Sequence, residues 1–179
     1  MITVGSDMKT QQADASEMGE KKKKEDLGRA IGRIASGVFV VTMGNENERD
    51  GLLATWINQT SFEPPMVAVA VNKGRHIMSR LTPGTVFAVN VLSKKNKTAY
   101  KNFVQPYTEG LDRFLGVKLL PGVCGAPVLA ESVAYLLCQV RHIADGGDHN
   151  LVIAETLEGD VLNPEDEPMI HLRKNGFQY

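Results

Sequence analysis

The chain has 179 residues, of which 42% are apolar and 23% charged, and its formal net charge is −1. That length suits a single domain with one sizeable core, and the ordinary composition excludes a wholly disordered chain or a membrane bundle. A near-neutral balance with no basic stripe among aromatics argues against a nucleic-acid partner.

In chain order, residues 1–25 are polar, carry the four lysines of 21–24 and show no apolar period, so they are expected to form a disordered tail outside a domain of residues 26–179. No stretch approaches the ~18–20 apolar residues of a membrane helix, and no signal-peptide core is seen, so the expectation is a cytoplasmic protein with no membrane partner. Asp26 reads as an N-cap, with Leu27, Ala30, Ile31, Ile34 and Ala35 at helical spacing up to Gly37, which predicts a helix over 27–36. A β-branched run over 38–43 then leads into a polar segment ending in Asp50-Gly51, the pattern of a hairpin.

After Pro64-Pro65 the run 66–71 is apolar at every position and predicts a central strand. A short helix over 76–81, a strand over 86–92 and a polar helix over 95–104 follow. Two strands, 133–143 and 151–157, flank the turn-rich connector from Ala144 to His149, and a last strand covers 169–172. Strands joined by short connections, without a helix after each, predict a mainly β fold: an antiparallel barrel with peripheral helices.

Cys124 and Cys138 are not spaced as a CxxC pair, and Cys138 lies in an apolar run, so both are expected as reduced, buried thiols. His76, His142 and His171 show no HExxH or paired-carboxylate spacing, and no metal site is expected.

The chemistry-bearing segment is G-L-L-A-T-W-I-N-Q-T-S-F-E-P-P, residues 51–65, where small hydroxyl and amide side chains cluster between two strands. Thr55, Asn58, Gln59, Thr60 and Ser61 offer hydrogen bonds to carbonyl or phosphate oxygens, and Trp56 offers an aromatic face. A bulged strand whose polar residues satisfy its own backbone accounts for the same residues.

This segment resembles the signature of the flavin reductase-like FMN-binding split barrels. The resemblance continues in order through N-K-G-R-H (72–76), F-A-V-N-V-L (87–92), D-R-F (112–114), G-A-P-V-L (125–129) and G-D-H (147–149). It implies a Greek-key split β-barrel, a homodimer, and FMN in a groove beside the subunit seam. It places Ala54, Thr55, Trp56, Asn58 and Gln59 along the flavin ring and ribityl chain. Thr60, Ser61, Lys73, Gly74 and Arg75 fall at the phosphate, and His149 beside the flavin, where it meets NADH or NADPH. Asp148 and the turn also allow His149 simply to cap the connector.

Two residues depart from the family pattern: Leu53 stands for a hydroxyl residue, and Ala154 for a glycine that would permit close approach on the substrate side. The activity implied is an FMN-binding NAD(P)H:flavin oxidoreductase. The alternative is a nonenzymatic FMN-binding electron-transfer module for a protein redox partner, since the same segments also resemble the C-terminal module of the flavodiiron proteins of oxygenic phototrophs.

Overall fold

The computed structural model describes residues 5–45, 47–121 and 125–178. Cys124 and the start of the tail lie outside them. The chain groups into two compact units, one spanning Ser36–His171 and the other joining the residues up to Ala35 with those from Leu172 onward.

The smaller unit is built on helix α1, Gly5–Ile31. The tail expected to be disordered is therefore helical from Gly5. Its Ala, Glu, Lys, Gln and Met residues are strong helix formers, and a helix needs no apolar stripe when intrinsic propensity supplies the preference. The same helix stops at Ile31 instead of 36. Near that end Gly28 accepts the Gly176 amide at 2.6 Å, and a side chain at Gly28 would collide with Asn175 and Phe177.

The larger unit contains the strands β1 (Ser36–Gly37), β2 (Phe39–Met43), β3 (Asp50–Ala54), β4 (Ile57–Ser61), β5 (Met66–Asn72), β6 (Val86–Val91), β7 (Ala134–Asp145), β8 (His149–Val161) and β9 (Ile170–His171). A 3-10 turn covers His76–Arg80, and α2 covers Lys97–Val104. All the strand pairings are antiparallel, as the short connections predict. β1 pairs with β9, and the other seven strands run β3-β2-β6-β7-β8-β5-β4.

Side-chain alternation sets the core. Val41, Met43, Leu52, Val67, Val69, Phe87, Val140 and Val152 fill the main cluster, while Val38, Val40, Leu92, Phe103, Phe114 and Leu129 pack on the other side of β2. β6, an inner strand third in the order, is buried at four consecutive positions. β5 differs from the expected central strand. It sits one from the sheet end and buries alternate residues, with Ala68 and Ala70 half-buried on its second face.

The asparagine of F-A-V-N-V-L is structural. Asn90 is wholly buried, donates to Val40 O at 3.0 Å and Thr42 Oγ1 at 3.2 Å, and accepts the Leu129 amide at 2.8 Å. It thus ties β6 to β2 and to the segment crossing them. Asn90→Ala leaves the Leu129 N–H without its side-chain acceptor in the core, so we expect a loss of about 1–3 kcal/mol of stability in urea unfolding.

Candidate active site

β3 and β4 are consecutive in sequence and joined only by Thr55 and Trp56, yet they stand at opposite ends of the seven-strand order. The sheet must curl until its ends approach, and among the described residues they do so without pairing: β3 pairs with β2 alone and β4 with β5 alone. The result is a barrel with one split, and the split opens at Thr55-Trp56.

Trp56 is anchored there because its carbonyl accepts the Ala70 amide at 3.0 Å. Across β5, Asn72 pairs with His149 at the start of β8. This register brings the Trp56 and His149 rings to 4.9 Å between centroids, tilted by 45°. His149 is 6% exposed, and its Nδ1 lies 2.7 Å from Asp148 Oδ1, so the neighbouring carboxylate fixes the imidazole. That hydrogen bond holds Asp148 below its ordinary carboxylate value.

The N-K-G-R turn closes the same corner. Asn72 Oδ1 accepts the Gly74 amide at 2.9 Å, an Asx turn, and the Lys73 amide donates to Asp148 O at 3.1 Å. Lys73 Nζ lies 3.0 Å from Asp145 Oδ1. Arg75 is half-buried at the head of the 3-10 turn.

Thr55 Oγ1 is buried and has no hydrogen-bond partner. A hydroxyl in that state costs about 1–3 kcal/mol unless a polar atom from outside the chain meets it. A flat ring edged with carbonyl and imide groups, entering the split, would do so. The residues therefore fit a flavin.

The structure brings together Ala54, Thr55, Trp56, Lys73, Gly74, Arg75 and His149, but not the rest. Ser61 pairs with Met66, six residues along β5 from Asn72, or about 20 Å at ~3.3 Å per residue. Thr60 and Ser61 therefore cannot share one phosphate with Lys73 and Arg75 in a single chain. A bulge lies between Gln59 and Ser61, and Gln59 Nε2 donates to Ser61 O at 3.1 Å, so the self-satisfied bulged strand describes this end. Asn58 is exposed on β4, between the two ends.

The departures from the family pattern are also relocated. Ala154 is wholly buried in the main core cluster, so its methyl does not face the cleft. Leu53 packs against the second cluster.

Sequence reasoning gave no site role to His76 or to D-R-F, yet both line a cavity of ≈ 580 Å³ with Asp50, Arg80 and Tyr107. His76 Nδ1 lies 2.9 Å from the buried Asp50 Oδ2, and the His76 and Tyr107 rings stack at 3.8 Å with a 4° tilt. Arg113 is 7% exposed, and burial lowers its guanidinium below the ordinary value. The signal in the sequence was an arginine between an acid and an aromatic, a pattern too common to assign alone.

Residues 31–178 match the model of the family described as flavin reductase like domain. Among curated proteins, diflavin flavoprotein A 1 of Synechocystis sp. strain PCC 6803 is 34% identical over 177 residues, covering 98% of this chain and 31% of that protein. The chain spans under a third of the length of this and other diflavin relatives. Among solved structures, the Streptomyces globisporus C-1027 NADH:FAD oxidoreductase SgcE6 superposes with a TM-score of 0.73 at 33% identity, covering 83% of this chain and 87% of that one. Flavin reductase PheA2 superposes with a TM-score of 0.69 at 26% identity, covering 80% and 90%.

Two acids hold the turn beside His149, and both are held below the ordinary value of 3.8. Asp145 is lowered first by the Gly147 amide and then by Lys73, Asp148 first by His149. A depressed folded pKa stabilises the turn fully above the unfolded value, and the effect is lost as pH falls through the folded one. We therefore expect the turn to stay closed through neutral and mildly acid pH. In an NMR titration the Gly147 amide shift should move only with a midpoint below 3.8.

Proposed function

The chain belongs to the flavin reductase-like domain family, and from that premise we propose that it binds FMN in the β3–β4 split and acts as an NAD(P)H:flavin oxidoreductase. The observation that carries this reading is the unpartnered Thr55 hydroxyl in the split, beside the Trp56–His149 ring pair. Supporting it are the SgcE6 structure, an NADH:FAD oxidoreductase also solved with NAD and FAD fragments, and the flavin reductase PheA2.

When bound, FMN supplies the hydride-accepting chemistry, so no acid, base or nucleophile of the chain is required. Thr55 would hydrogen-bond the ring edge. Arg75 and Lys73 face the phosphate with positive charge. Trp56 and His149 wall the side from which NADH or NADPH approaches, and Asp148 holds the His149 ring in one orientation.

We also assign the protein to the cytoplasm, where a buried free thiol such as Cys138 stays reduced. Among the described residues no helix is long and apolar enough to cross a membrane. A homodimer is proposed because Leu151, Leu157 and Val161 of β8 and Phe62 after β4 are exposed apolar side chains that an isologous contact would cover. A second reading is favoured by one observation: the diflavin relatives contain this module as less than a third of a longer chain. In that reading FMN relays electrons to or from a protein partner.

Anaerobic titration of the FMN-loaded protein separates the two. Rapid bleaching by NADH or NADPH is expected, whereas reduction by a protein donor only would transfer the assignment to the carrier. His149→Ala should leave FMN affinity nearly unchanged and slow reduction about tenfold, equivalent to ~1.4 kcal/mol of lost positioning. Thr55→Val should weaken FMN by about 1 kcal/mol, and Arg75→Ala by about 1.5–3 kcal/mol. Lys73→Ala should cost less than Arg75→Ala, since its side chain is 44% exposed and already paired with Asp145. Sedimentation at micromolar concentration should show a dimer.

A further inference from the structure

The 3-10 turn His76–Arg80 is gripped by the β2–β3 hairpin through two of its side chains. His76 Nδ1 donates to Asp50 Oδ2 at 2.9 Å, and Arg80 Nη2 donates to Glu48 O at 2.8 Å. Asp50 is 7% exposed at the first position of β3, and its other oxygen accepts the Gly51 amide at 2.7 Å. A carboxylate so buried needs donors on both oxygens, and among the described residues His76 alone meets Oδ2. The imidazole is also fixed in its plane, because the Tyr107 ring stacks on it at 3.8 Å with a 4° tilt.

The two elements joined in this way carry the two ends of the flavin groove proposed above. β3 runs from Asp50 to Ala54 and delivers Thr55 to the split five residues on, about 16 Å at ~3.3 Å per residue. On the other side Arg75 directly precedes His76, and its carbonyl accepts the Met78 amide at 2.9 Å, so its backbone belongs to the turn that His76 holds. The Arg113 guanidinium bonds Gly51 O near the start of β3. It is lowered chiefly by burial, raised by Asp50 and lowered further by the charge of Arg75, so Arg75 lies toward that end of the strand. Among the described residues no ion pair or hydrogen bond holds the Arg75 side chain. Its aim is therefore set by its backbone, and its donors are free for a ligand.

We propose that His76 is the positioning residue of the phosphate end: bonded to Asp50 and stacked against Tyr107, it fixes Arg75 at a set distance along β3 from Thr55, and so makes the groove select a phosphorylated flavin over an unphosphorylated one. The proposal rests on the reading that FMN lies in the split with its phosphate at Arg75. His76 acts through the turn and not by contact with the flavin. Holding the turn in place beforehand leaves less order to be imposed when the phosphate arrives.

Fluorescence titration of the full chain with FMN and with riboflavin tests this. Wild type should take FMN at least about tenfold more tightly than riboflavin, the difference being the charge-assisted phosphate contact. His76→Ala should weaken FMN about tenfold and riboflavin less than about twofold, because only the preorganised phosphate contact is lost. His76→Asn, whose amide N–H stands in for Nδ1–H, should restore FMN to within about threefold of wild type. In an Arg75→Ala background, His76→Ala should cost FMN less than about twofold, since the residue it aims is gone. Unchanged FMN binding in His76→Ala overturns the proposal, as does equal weakening of both flavins or a full loss that persists in the Arg75→Ala background. A His76→Asn protein as weak as His76→Ala overturns the Asp50 bond as the anchor. If His76→Ala does not fold, Tyr107→Ala removes only the stack, at a side chain that is 44% exposed, and should weaken FMN but not riboflavin. Unchanged FMN in that variant overturns the proposal. A wild-type chain that binds both flavins equally overturns the proposal and leaves the flavin site standing, whereas one that takes up neither flavin overturns the flavin reading itself.

Discussion

Two residues must bridge the two ends of a seven-stranded sheet. From Ala54 to Ile57 the chain advances three residues, a reach of about 10 Å at most, and within that reach it passes from the last strand of one end to the last strand of the other. The sheet has no choice but to curve until β3 faces β4. Because the two edges approach without pairing, no ladder closes the gap between them, and the Thr55 hydroxyl there keeps its hydrogen-bonding capacity. A closed barrel of the same strands would satisfy those groups internally and leave nothing for a flat ring to engage.

The outer edge of β3 is managed by side chains where no strand is available. Arg113 reaches across from the connection after α2 to the Gly51 carbonyl, and Phe103 of α2 packs against Gly51 so closely that a Cβ there would lie 2.7 Å from its ring. A protein edge protected in this way is kept from pairing with another chain. The protection also explains why so large a cation lies buried. Arg113 is held in place by a backbone carbonyl, a structural task, and its remaining donors stay aimed at a cavity by consequence.

Much of the architecture was legible because β-branched runs and turn residues speak for themselves locally. The strands beginning at Phe39, Met66 and Val86 fall within a residue of where the pattern puts them. The position of β5 in the sheet was not legible, since Ala68 and Ala70 read as buried core while serving as small residues on a half-covered face. The site divides in the same way. Trp56, Lys73 and His149 meet as the motif order implies, because β5 pairs with both β4 and β8. Thr60 and Ser61 do not join Lys73, because strand direction carries them away by about 3.3 Å per residue, a fact no linear motif expresses. His76 comes from one segment and Tyr107 and Arg113 from another, and only the fold brings them together.

One turn couples the two tasks assigned to the split. Lys73 contacts the β7–β8 connector twice, through its amide to Asp148 O and through its ammonium to Asp145, and Asp148 in turn fixes the His149 ring. A phosphate arriving at Lys73 competes with Asp145 for the same ammonium. The backbone contact to Asp148 is untouched by that competition, and Asp145 retains the Gly147 amide at 2.8 Å. The connector therefore stays closed when the lysine turns toward a phosphate, and the imidazole keeps its orientation against Trp56. In the proposed reading, binding at one end of the groove would thus be insulated from the geometry at the other, as holding one cofactor while admitting and releasing another requires.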